Sequence, residues 1–178
     1  YMTMERDFVG MPLVLGVLAL CAGVAMPMHA GAKTPQKLSA TIAGKSFESD
    51  DDGILYLMPA KTGLNLIAST KGASAYPPPK TPVDRLSINC RNFDSKPRKY
   101  GPKDFGSHGC EVTFTKGVSP KPFGDPEAEY RIVDGKNSFE ITSVSGKVIE
   151  GRFSFEMIDP KTKARLSITD GIFKAEDR

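Results

Sequence analysis

The chain has no tryptophan, only two histidines, three cysteines and almost no excess of either charge. Without Trp, the large aromatic platforms on which sugar rings stack are missing, and Tyr56, Tyr76, Tyr100 and Tyr130 replace them only in part. Three cysteines in 178 residues exclude a miniature disulfide scaffold. With 24 Lys+Arg against 21 Asp+Glu, the net charge is +3. That mild cationic bias suits weak attraction to anionic polymers, but it lacks the dense basic stripe of a nucleic-acid binder. Nucleic acid is therefore not an expected partner.

Catalytic and cofactor motifs are equally scarce. The sequence has no Gly-x-Ser-x-Gly elbow and no cluster of metal-ligating histidines. No cofactor is expected. His108 is the only histidine beyond the N-terminal segment, and beside Ser107 it hints at a nucleophile and its base. Adjacent residues of an extended segment point apart, however, so the pair reads as solvated loop. Glu48, Asp50 and Asp52 precede Gly53 with the spacing of a calcium loop, yet Pro59 stands where the closing Glu belongs. An acidic turn is the plainer reading, with calcium as the weaker candidate.

The long apolar run is short by membrane standards. Met11–Met26 is uncharged and falls under the ~20 residues that a spanning helix needs. Ala30-Gly31-Ala32 follows as an A-x-A cleavage pattern, so residues 1–32 are expected to be a signal peptide and 33–178 the exported domain. The flank Met4-Glu5-Arg6-Asp7 is net acidic where a positive one is usual. Leu18-Ala19-Leu20-Cys21 resembles a lipoprotein signal, with Leu20 in place of a small residue. Lipid anchoring at Cys21 is the alternative to simple cleavage. The expected location is periplasmic or secreted, with no transmembrane helix in the mature form.

Export leaves Cys90 and Cys110, which in an oxidising compartment most simply pair with each other. The crosslink closes a loop of about twenty residues, worth on the order of 3 kcal/mol in the chain-entropy account. Period-two alternation dominates the exported part and no helical period stands out. Strands are expected at Leu38–Ile42, Ile54–Met58, Leu64–Ala68, Leu86–Cys90, Cys110–Phe114, Ser138–Val144, Lys147–Met157 and Arg165–Lys174. Leu86, Ile88 and Cys90 share one face, as do Cys110, Val112 and Phe114, so the disulfide joins two inward faces. Gly151 is an expected bulge or bend, and Asp170-Gly171 an expected bulge. Short strands at this spacing predict one antiparallel β-sandwich, with a β-barrel as the alternative.

Two long loops break the series, Lys71–Pro82 with Tyr76-Pro77-Pro78-Pro79, and the Lys-, Pro- and Gly-rich Arg91–Gly109 inside the disulfide. Arg98, Lys99, Tyr100 and Lys103 form the most distinctive surface candidate, able to grip an envelope protein or an anionic glycan, with Tyr76 as a second ledge.

Thr41-Ile42-Ala43-Gly44-Lys45-Ser46-Phe47, Gly151-Arg152-Phe153-Ser154-Phe155 and Ile168-Thr169-Asp170-Gly171-Ile172-Phe173 resemble the first strand and closing hairpin of uncharacterised secreted or lipid-anchored β-sandwich proteins of bacteria. The resemblance covers about a quarter of the domain and leaves the disulfide region unmatched. It implies an envelope protein of unknown function and supplies no catalytic residue. The expectation is a non-enzymatic binding or interaction protein. Its rivals are a small secreted hydrolase and a periplasmic enzyme inhibitor.

Overall fold

A computed structural model describes residues 35–59, 62–118 and 124–177. The expected signal peptide and Cys21 lie outside them. Eleven strands follow in order: β1 Lys37–Ile42, β2 Lys45–Ser49, β3 Ile54–Leu57, β4 Leu64–Ser69, β5 Val83–Cys90, β6 Arg98–Tyr100, β7 Cys110–Val118, β8 Ala128–Ile132, β9 Ser138–Ser145, β10 Val148–Ile158 and β11 Arg165–Glu176. Among the described residues there is no α-helix, and 3-10 turns include Asp51–Gly53 and Pro102–Asp104.

The all-β reading holds. Of the two expected arrangements, the barrel-like one forms, because the strands make one continuous antiparallel sheet in place of two stacked ones. Its order is β2-β1-β11-β10-β8-β7-β5-β4-β3. Two contacts draw the ends of this ribbon together. The Lys71 amide donates to the Glu48 carbonyl at 2.6 Å, linking β2 to the exit of β4. A parallel bridge from Tyr56 to Asp177 ties β3 to the end of β11. Both contacts occupy backbone groups that an open edge would leave unpaired.

Alternation explains the core. Leu86, Ile88 and Cys90 on β5 and Cys110, Val112 and Phe114 on β7 point inward, each at 2 % exposure or less. β1 and β2 join through a two-residue turn with φ of +48° at Ala43 and +76° at Gly44. A tight hairpin of that twist demands left-handed backbone, which glycine adopts without strain.

Strand β10 is long enough to serve two partners on one edge. Its first part pairs with β9, and Met157 and Ile158 pair with β8. Asn137 fills the gap between them. Its Oδ1 accepts the Glu156 amide at 2.8 Å and its Nδ2 donates to the Val133 carbonyl at 2.6 Å. A buried side chain thus stands in for the missing ladder peptide, as an interior strand requires.

The bulge expected at Asp170 is present: Phe153 pairs with Gly171 and Phe155 with Ile168, leaving Thr169 and Asp170 to the irregularity. The one expected at Gly151 falls instead on the opposing strand, where Thr142 is the extra residue and Gly151 stays paired with Ile141. Gly151 has a packing role, since the Glu140 backbone carbonyl crowds the place of a Cβ and the ring of Phe173 lies 2.6 Å from it. The ring of Phe153 covers Gly171 in the same way. Each phenylalanine therefore packs over the glycine that faces it across the ladder, Phe173 over Gly151 and Phe153 over Gly171.

Candidate functional site

Strand β6 is only three residues long and pairs with β9 alone, through Arg98–Ile141, Lys99–Glu140 and Tyr100–Phe139. The segment that follows turns back towards β7, where Phe105 forms a parallel bridge with Cys110. Cys90 and Cys110 are joined by a disulfide and lie directly opposite each other on β5 and β7. The loop Arg91–Gly109 is therefore gripped at its base by a covalent bond between two neighbouring strands.

Aromatic side chains fix the rest of the loop. Phe93 is buried, and its amide donates to the Thr62 carbonyl at 2.8 Å. Phe105 packs edge-on against Phe155, with ring centroids 5.9 Å apart. Tyr100 stacks on Phe139 at 5.6 Å and is only 2 % exposed. Its expected place at the centre of a contact surface needs correction: period-two geometry turns it inward from an edge strand, and it is a floor, not a contact. Burial pushes its phenol above the usual tyrosine range, and the charge of Arg98 partly offsets that rise.

Arg98 shares the face of Tyr100 but stays exposed. Its guanidinium carbon lies 4.7 Å from the Tyr100 ring centroid. Its Nη1 and the Tyr100 hydroxyl both donate to the Asn92 carbonyl, at 3.0 and 3.3 Å. The charged head is thereby held over an aromatic face and is more restricted than a free arginine.

Around this pair lies a cavity of about 400 Å³, lined among others by Asn92, Arg98, Tyr100, Lys103, Asp104 and His108. Asp104 closes the 3-10 turn by accepting the Gly101 amide through Oδ2 at 2.8 Å. Gly109 backs onto the Asp104 carbonyl and leaves no room for a side chain. The arrangement offers two cations, one hydrogen-bonded carboxylate and a rigid aromatic base, a combination suited to holding an anionic group.

The other expected residues fall elsewhere. Lys99 points to the opposite face, where it helps line a shallow depression with Glu140 and Arg152. There the Arg152 Nε donates to Glu140 at 2.9 Å, and this hydrogen bond holds the carboxyl below its usual range. Tyr76 is 96 % exposed in the loop between β4 and β5 and does not line the disulfide-loop cavity. Glu48, Asp50 and Asp52 do not converge, and among the described residues no group of three His, Cys, Asp or Glu side chains is placed to hold a metal.

Ser107 and His108 differ from the sequence expectation. They sit in a turn, not an extended segment, and the Ser107 Oγ lies 3.1 Å from the His108 Nδ1. Sequence reasoning also missed Phe93 and Phe105 as the anchors of the loop; an aromatic spaced among Lys, Pro and Gly was the available signal. Comparison of the chain with protein-family models, with curated proteins and with solved structures returns no match. Among the described residues, no helix is long and apolar enough to cross a membrane.

Proposed function

We propose that the protein is an exported, non-enzymatic binding protein of the cell envelope that engages an anionic partner through the disulfide-braced loop. The observation that carries this reading is the convergence of Arg98 and Lys103 on one cavity whose base is fixed by Tyr100 and whose stem is closed by Cys90–Cys110. Preorganisation of this kind lowers the entropic cost of association, because few side chains remain to be ordered. The disulfide supports an oxidising compartment, periplasmic or extracellular, and fits the leader-like residues 1–32. An envelope protein with an acidic surface or an anionic glycan meets the chemistry, and an inhibitor that inserts this loop into an enzyme is a special case of the same surface.

The direct test is retention of the oxidised full chain on immobilised envelope extract as salt is raised. Retention through Arg98 and Lys103 weakens as the Debye length shrinks from about 10 Å at 0.1 M towards 3 Å at 1 M. Retention that does not respond to salt removes the cationic cavity as the contact.

A second reading, a small secreted hydrolase, is favoured by the Ser107–His108 contact alone. Turnover of simple ester substrates by the wild type, abolished in Ser107→Ala, would replace the binding reading.

A further inference from the structure

We propose that the opposite end of the barrel holds a second site, a pocket for a small amphipathic molecule with a flat apolar body and one anionic end. Strand topology defines this mouth. It is the end where β1 turns into β2, where β4 and β7 finish, and where β5, β8 and β11 begin. A cavity of about 250 Å³ opens there, with Ile42, Phe47, Phe114, Tyr130 and Leu166 in its wall. Mouths of β-barrels are recurrent places for ligand pockets.

The floor is aromatic and incompletely sealed. The Phe47 and Phe114 rings meet edge-on with centroids 6.3 Å apart, and Phe114 and Tyr130 are also 6.3 Å apart. Ile42, Phe47 and Leu166 keep 7, 5 and 8 % exposure, whereas Leu38, Ile88 and Ile168 in the barrel interior keep none. These three apolar side chains thus keep residual access at the mouth. A cavity of ~150 Å³ lined by apolar side chains takes up benzene. The mouth therefore has room for one ring and a short tail, below the ~300–1,000 Å³ of usual drug-sized sites.

Charge at the rim chooses the polar end. Lys116 is committed to Glu127 at 3.1 Å. Asp84 accepts the Gly117 amide through Oδ1 at 2.8 Å. Lys45, also in the lining, has no acidic partner among the described residues. A carboxylate beside Lys45, with its ring over Phe47 and Phe114, satisfies both features of the pocket.

The test uses the oxidised full chain and two probes of the same shape, 3-phenylpropionate and the uncharged 3-phenylpropanol, titrated by amide NMR. The expected result is saturable shifts at Ile42, Phe47 and Leu166, with the acid bound roughly fivefold or more tightly than the alcohol. Lys45→Ala abolishes that preference and leaves the alcohol unchanged. Absence of saturable shifts up to about 10 mM, a concentration that reaches weak small-molecule sites, overturns the proposal. So do shifts that map to the disulfide loop, and so does a preference for the acid that survives in Lys45→Ala.

Discussion

Arg98 holds its guanidinium carbon 4.7 Å from the centre of the Tyr100 ring, one side chain exposed and the other almost wholly buried. Their roles separate accordingly, and substitutions divide them. Tyr100→Ala removes a ring stacked on Phe139 and costs about 3–5 kcal/mol, read as a loss in denaturant midpoint. Tyr100→Phe loses only the hydroxyl donated to the Asn92 carbonyl, about 0.5–1.5 kcal/mol. Arg98→Ala changes stability by about 1 kcal/mol or less, because its contacts are exposed. Equal losses for Arg98→Ala and Tyr100→Ala would contradict this division.

The disulfide joins opposed residues twenty positions apart. Cys90→Ala/Cys110→Ala is expected to lower stability by about 3 kcal/mol, mainly through the unfolded chain. Because Phe93, Tyr100 and Phe105 also anchor the loop, the double variant still folds at low temperature. Circular dichroism with urea titration checks both statements.

Asn137 carries two hydrogen bonds where β10 changes partners. Asn137→Ala leaves the Glu156 amide and the Val133 carbonyl unpaired, and is expected to cost about 2–4 kcal/mol. Hydrogen exchange at Glu156 then accelerates ahead of its neighbours. Unchanged exchange at that amide would show that water replaces the side chain fully.

Gly171→Ala forces a methyl against the ring of Phe153, and Gly151→Ala forces one against the Glu140 backbone carbonyl as well as the ring of Phe173. Gly171→Ala is expected to lose about 1–3 kcal/mol despite the higher strand propensity of alanine, and Gly151→Ala more, because a backbone carbonyl cannot swing aside as a ring can. Gly171→Ala combined with Phe153→Leu recovers part of the loss, which a thermal melt of the single and double variants resolves.

Acid sensitivity has a source at the β10–β11 turn. Asp159 accepts the Lys161 amide at 2.7 Å and the Thr162 amide at 3.2 Å, and these hydrogen bonds lower its pKa from the ordinary 3.8. A depressed folded pKa means stability that is fully present above the unfolded value and is lost as pH falls through the folded one. Asp159→Ala is therefore less stable than wild type at neutral pH, and the gap narrows below the ordinary aspartate range. A gap that stays constant down to the lowest accessible pH would contradict the assignment.

Much of the fold is legible in the sequence because it rests on local alternation. The eight expected strands all form, and the pairing of Cys90 with Cys110 follows from two inward faces. β2, β6 and β8 are not legible, for a physical reason: Lys45–Ser49 has one large apolar residue, and Arg98–Tyr100 has charges at two of its three positions. Their strand character comes from hydrogen bonds offered by β1, β9 and β7, which no local pattern records. The same limit applies to the site. Arg98 and Lys103 stand out as a basic strip, but the inward turn of Tyr100 and the outward turn of Lys99 depend on the register of β6 against β9.

The most direct test of the binding account is capture from envelope extract by the oxidised full chain, run in parallel with Arg98→Glu/Lys103→Glu and with Lys99→Glu. The account predicts a stoichiometric anionic partner retained by the wild type and by Lys99→Glu, and lost by the double variant at a nearly unchanged thermal midpoint. Equal capture by all three proteins, or loss in Lys99→Glu alone, would contradict the disulfide-loop cavity as the contact surface.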